Sequence, residues 1–130
     1  MKKILTAAFC AAMASPALAQ GWPTGYEGVM LQGFYWDSYS DSQWKNLEKQ
    51  APELGSYFSL LWVPQGGKCL EEHNVMGYTP YYYFDQNSSF GSEAELRSMI
   101  RAMRQNGVSV LADVVINHHN TSGWFSFPKE

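Results

Sequence analysis

The chain reads as an α/β protein in which short apolar strands alternate with amphipathic helices around a parallel sheet. Three observations support this. Apolar runs recur at 29–35, 58–63 and 108–116, segments of helical period lie between them, and a length of 130 residues holds one domain of ordinary size. Apolar content of 45% with 16% charged residues is normal for a globular chain and excludes disordered and collagen-like classes. A net charge of −3 with no Lys/Arg run argues against nucleic acid and against anionic membrane surfaces as partners. Aromatic side chains are plentiful, with 7 Phe, 8 Tyr and 5 Trp.

Residues 1–19 read as an export signal. Lys2 and Lys3 give a positive start, Ile4 to Ala14 an apolar run, and Pro16-Ala17-Leu18-Ala19 small residues at the cleavage positions before Gln20. The expected division is therefore a signal peptide over 1–19 and one domain over 20–130, exported to the periplasm or beyond, with no membrane span after signal removal. Loss of Cys10 with that segment leaves Cys69 alone, so no internal disulfide is expected.

The mature chain opens with a loop, Gly21 to Gly25. Val29 to Tyr35 (VMLQGFY) suits a buried strand. Asp41 is the expected N-cap of a helix carrying Trp44, Leu47, Ala51 and Leu54 on one face up to Gly55, with Pro52 a reason for it to end early. Phe58 to Val63 (FSLLWV) is the second strand, closed by Pro64 and Gly66-Gly67. Ser92 and Glu95 spell a capping box before a helix whose apolar face is Leu96, Met99, Ile100 and Met103, ending at Gly107. Val108 to Ile116 (VSVLADVVI) is the third strand, nearly all apolar and expected to be covered on both faces. Gln65 to Phe90 is expected to be a long loop without regular structure, and loops of that length are usually functional.

Chemistry in such folds sits at the C-terminal ends of the strands. That points to Trp36-Asp37-Ser38, to the loop 65–90, and to Asn117-His118-His119. In an extended strand Asp113, Val115 and Asn117 share one face, and a carboxylate inside an apolar strand needs a partner. Asn117 offers an oxygen of the kind calcium prefers, and His118 a donor for a substrate hydroxyl. The pair His118–His119 also leaves open a transition-metal hydrolase, although neighbouring histidines at a strand end point apart. Cys69 with His73 is too few residues for a metal site, Glu71-Glu72 reads as a solvated pair, and Asn87-Ser88-Ser89 and Asn120-Thr121-Ser122 match the common glycosylation pattern.

The segment DVVINH (113–118) resembles the first signature motif of the α-amylase family, glycoside hydrolase family 13. LQGFYWDS, LWVPQ, GYTPYYYFD and GVSVLADVVINHH agree with it in order and spacing, so the resemblance covers roughly 29–120 and is to plant-type and bacterial members. It implies a (β/α)8 TIM barrel of which this chain is the N-terminal part, about three βα units. It further implies that Tyr78 stacks on the sugar at the cleavage subsite and that His118 hydrogen-bonds the same sugar. Asn117 would ligate a structural calcium, and Asp113 would support the site from within the barrel.

The implied activity is retaining hydrolysis of α-1,4-glucosidic bonds in starch-like glucans. Retaining glycosidases need two carboxyl groups about 5–5.5 Å apart. In α-amylases these follow the fourth and later strands, and Asp37, Asp85 and Asp113 do not match them. The chain is thus expected to carry no catalytic carboxylate, to leave its calcium site incomplete, and to be a piece of a larger enzyme, since the barrel takes about 250 residues. The rival expectations are a secreted, non-catalytic binder of glucan through Trp36, Tyr78 and the Tyr81–Tyr83 run, and a family member with another α-glucan specificity.

Overall fold

The computed structural model describes residues 26–71, 73–82 and 84–120. The export reading of residues 1–19 lies outside these, as do Glu72, Tyr83 and the second half of the Asn120-Thr121-Ser122 pattern.

Three parallel strands form the main sheet: β1 (Met30–Gln32), β2 (Leu60–Val63) and β5 (Ser109–Ala112), in the order β1-β2-β5. Met30 pairs with Leu60 and Leu61 with Val110, so the strands start level and end together. The connections are helices α1 (Trp44–Leu54) and α2 (Glu93–Gln105), as the alternation of sequence periods requires. Leu61, Val63 and Val108 are buried with Trp44, Leu47, Met99 and Met103 in one core between sheet and helices. Leu31 and Val110 pack partly buried against it.

The strands are shorter than their apolar runs. Regular pairing stops at Gln32 and Ala112, although Gly33 N–H still donates to Trp62 O (2.8 Å) and Asp113 N–H to Val63 O (3.0 Å). Only β2, flanked on both sides, is well buried; Met30 on β1 and Ser109 and Ala112 on β5 are exposed. The expectation of a third strand covered on both faces is corrected, because Ser109 and Ala112 of β5 are exposed and Val110 and Leu111 only half-buried. Past β5 the burial still alternates as expected over Asp113 and Val115, both half-buried, against exposed Val114 and Ile116, whereas Asn117 is exposed.

Helix α1 starts later than expected. Gln43, not Asp41, precedes its first turn, and no side chain caps it. Trp44 N–H instead donates to Phe90 O (2.8 Å), a tertiary partner that satisfies a donor which a cap would otherwise take. Pro52 does not end the helix early. It lies in the last turn, where it forfeits one bond to Glu48 O, while Ala51 and Leu54 on either side remain buried. Helix α2 follows its capping box: Glu95 N–H donates to Ser92 Oγ (3.3 Å) and Ser92 N–H to Glu95 Oε2 (2.9 Å). It ends before Gly107, whose φ of +79° favours a residue without a Cβ.

The connection 65–90 is not structureless. Lys68–Cys69 (β3) and Pro80–Tyr82 (β4) pair antiparallel, and Ser88 bridges Gly91. Strands of two and three residues are too short to show alternation in sequence, so the hairpin is held by contacts off the ladder. Lys68 Nζ lies 5.5 Å from the Tyr82 ring centre and 3.7 Å from Asp85 Oδ2.

Candidate functional site

The chain leaves β1, β2 and β5 at the same end of the sheet, and residues 78–80 are hydrogen-bonded to the segment that follows β5. Tyr78 is delivered there by Gly77, which has φ +89° and sits so close to Gln65 that a Cβ would lie 2.4 Å from Gln65 O. No side chain is tolerated at that approach. The Tyr78 hydroxyl donates to Asp113 Oδ2 at 3.0 Å, across 35 residues of sequence. This gives the half-buried Asp113 the partner its position demanded. Burial first, then the hydrogen bond to Asp113 and its charge, push the Tyr78 phenol up to about 12. It is neutral at any physiological pH and acts as a donor.

His118 reaches the same residue from the other side, its ring Nε2 standing 2.9 Å from Tyr78 O. A carbonyl only accepts, so Nε2 carries the proton. Asn120 N–H donates to Pro80 O (2.7 Å). Three hydrogen bonds therefore clamp residues 78–80 to the segment that follows β5. Trp36, just past β1, lies parallel to Tyr78, with ring centres 6.0 Å apart and 4° between planes. Beside this pair is a cavity of about 230 Å³ lined by Trp36, Asp37, Asn74, Met76, Tyr78 and Thr79. Asp37 (φ +66°) and Asn74 (φ +60°) are the non-glycine residues with left-handed backbone among those described, and both line it.

Of the residues singled out from sequence, Tyr78, Asp113 and His118 thus converge. Asn117 is exposed next to them and lines a larger, mainly apolar groove of about 750 Å³ with Val63, Val110, Val114 and Ile116. Its amide oxygen suits a hard cation, but calcium takes six to eight oxygens. Among the described residues no group of three His, Cys, Asp or Glu could hold a metal ion, so Asn117 offers at most one ligand. A metal centre on His118 and His119 is likewise not formed there: His119 Nδ1 stands 2.7 Å from Asn120 O, while His118 turns to Tyr78.

The remaining candidates fall to structural duties. Cys69 is buried, which pushes its thiol up and away from reactivity. Asn87 donates to Asp85 Oδ1 (2.7 Å) and accepts from Glu93 N–H (3.1 Å), shaping the approach to α2. Tyr81 is buried and so offers little ring surface to a ligand. The Trp36–Tyr78 stack itself was not legible in the sequence: 42 positions separate the two, and only the shared sheet end brings them together. The run of three aromatics just past a strand, Phe34-Tyr35-Trp36, was the available signal.

No protein-family model matches the chain. An Arabidopsis thaliana protein named "Probable alpha-amylase 2" is 37% identical over 91 residues, which cover 69% of this chain and 21% of that protein. A glucan 1,4-alpha-maltotetraohydrolase of Roseateles saccharophilus is 36% identical, with 92% of this chain and 25% of that protein covered. The crystal structure of α-amylase I from Eisenia fetida superposes with a TM-score of 0.61 at 24% identity, covering 74% of this chain and 19% of that one. The chain thus spans about a fifth to a quarter of the length of these relatives. Identity of 36–37% to these relatives over 69–92% of its length shows that the chain belongs to the α-amylase family.

Proposed function

We propose that this chain forms the first three βα units of an exported, retaining glycoside hydrolase that cleaves α-1,4-glucosidic bonds in starch-like glucans. The observation that carries the reading is the convergence of Tyr78, Asp113 and His118 at the C-terminal end of the sheet. In this reading the Tyr78 ring stacks on the C–H face of the pyranose at the cleavage subsite. Asp113 holds the phenol in place from below, and His118 donates a hydrogen bond to the same sugar, exchanging Tyr78 O for a hydroxyl. Asn117 contributes one oxygen to a calcium site completed by residues elsewhere in the protein, where the ion would stiffen the loops around the subsite. The nucleophile and the acid/base come from later strands, and residues 1–19 direct export.

The full-length protein is the object of the test. Reducing ends released from soluble starch, with the α-anomer appearing first by proton NMR, are the expected result. His118→Ala should lower kcat/KM by about tenfold or more, as loss of a hydrogen bond to bound substrate does, with stability reduced by no more than the roughly 1 kcal/mol of the lost bond to Tyr78 O. No release from starch, or a β-anomeric first product, would overturn the assignment.

A further inference from the structure

Trp36 stands in a place that its own burial does not explain. It is 72% exposed, so removal of apolar surface from water does little to hold it. The next residue, Asp37, has φ +66°, a conformation that costs a side-chain-bearing residue energy. The turn is nevertheless tightly knit. Ser38, fully buried, accepts Tyr35 N–H on its Oγ (3.1 Å) and the Ser42 hydroxyl on the same atom (2.9 Å). Its carbonyl takes Asp41 N–H (3.0 Å) and Ser42 N–H (2.8 Å), and the Tyr35 hydroxyl donates to the Asp41 carboxylate. A strained turn with buried hydroxyls thus presents one exposed indole, and what that indole meets is Tyr78, parallel to within 4°. Strain held in place by its surroundings in this way marks a positioned functional group.

Tyr78 is otherwise fixed at two points, its hydroxyl on Asp113 and its backbone by Gly77 and His118, with partial packing of its side chain against the core. Neither stops the ring from rocking about the axis between them. The parallel Trp36 ring, its centre 6.0 Å away, restricts that rotation. We infer that Trp36 is a positioning residue: it braces the Tyr78 ring in the orientation that receives the pyranose and does not itself carry the sugar. This rests on the reading of Tyr78 as the stacking residue and goes beyond it.

A double-mutant cycle in the full-length protein separates the two. Tyr78→Leu should lower kcat/KM strongly. Trp36→Leu should lower kcat about fivefold with KM changed by less than about twofold, since an aromatic pair of this geometry is worth roughly that factor. Trp36→Phe should restore most of the loss, and in the Tyr78→Leu background Trp36→Leu should have almost no effect, because a brace without its ring has nothing to hold. Losses that add across the cycle, or a rise confined to KM, would make Trp36 a direct sugar contact and overturn the inference. So would an unchanged kcat in Trp36→Leu. If Tyr78→Leu itself leaves kcat/KM intact, it is the stacking role of Tyr78 that fails, and the brace fails with it.

Discussion

Tyr78 and Asp113 show at the scale of single residues how position sets chemistry. Asp113 is half-buried beside an apolar strand, and one hydroxyl from a distant loop satisfies it. Tyr78→Phe removes that donor and leaves a carboxylate with poorer solvation, which should destabilise the full-length protein by about 1–3 kcal/mol in urea unfolding. The same pair predicts an alkaline effect. An unfolded phenol loses its proton near 10, whereas the folded Tyr78 holds it to about 12. Between those values the unfolded state binds fewer protons, so stability falls as pH rises, while below pH 10 this contribution is constant. Tyr78→Phe should flatten the decline across that window, and an unaltered slope would refute the linkage. Asn117 makes a different prediction. If its oxygen ligates calcium, Asn117→Ala should raise the calcium concentration needed for half-maximal thermal protection, because a weaker ligand set stabilises the folded state only at higher free ion. Equal calcium dependence in both proteins would remove Asn117 from the ligand set.

Helix α2 is the element whose stability is easiest to trace to particular side chains. Ser92 and Glu95 cap each other, Lys45 Nζ on α1 reaches Glu95 Oε1 at 2.7 Å, and the Ser98 hydroxyl donates to Glu48 Oε1 at 2.7 Å. The two helices are thereby tied along their length as well as packed through Leu47, Met99 and Met103. Ser92→Ala should cost about 1 kcal/mol, read as a lower thermal midpoint. The hydrogen bond from Lys45, and next that from Ser92 N–H, hold the Glu95 carboxyl below its ordinary value of 4.5. Its folded form releases the proton more readily than the unfolded one, so its contribution is complete above about pH 4.5 and is lost on acidification. Glu95→Gln should remove that part of the acid sensitivity, and unchanged acid unfolding would count against it.

At the scale of the whole molecule the sheet is open at both sides among the described residues. β5 presents an unpaired edge, and the groove beside it is lined by Val110, Val114 and Ile116, the last 80% exposed. Exposed strand edges of this kind template association. Residues 20–130 expressed alone are therefore expected to aggregate or stay largely unfolded and to release no reducing ends from starch. A cooperative monomeric transition, or activity above a buffer blank, would overturn the two halves of that expectation separately. Secretion of the full-length protein should yield a product beginning at Gln20, which N-terminal sequencing would verify.

The sequence by itself determined the alternation of strands and helices, the capping box at Ser92, and the segments carrying Tyr78, Asp113 and His118. Each of these depends on neighbours within a few residues, where period, cap chemistry and motif spacing act directly. The lengths of the strands, the late start of α1, the passage of that helix through Pro52 and the hairpin within 65–90 were decided by tertiary structure. Pairing partners end a strand, and Phe90 O replaces a cap at Trp44. Buried Ala51 and Leu54 outweigh the bond lost at Pro52, and Lys68 meets Tyr82 and Asp85 only once the loop has folded back. The Trp36–Tyr78 stack belongs to this second class as well, because two rings that no local rule relates become neighbours only when parallel strands end at one edge of one sheet.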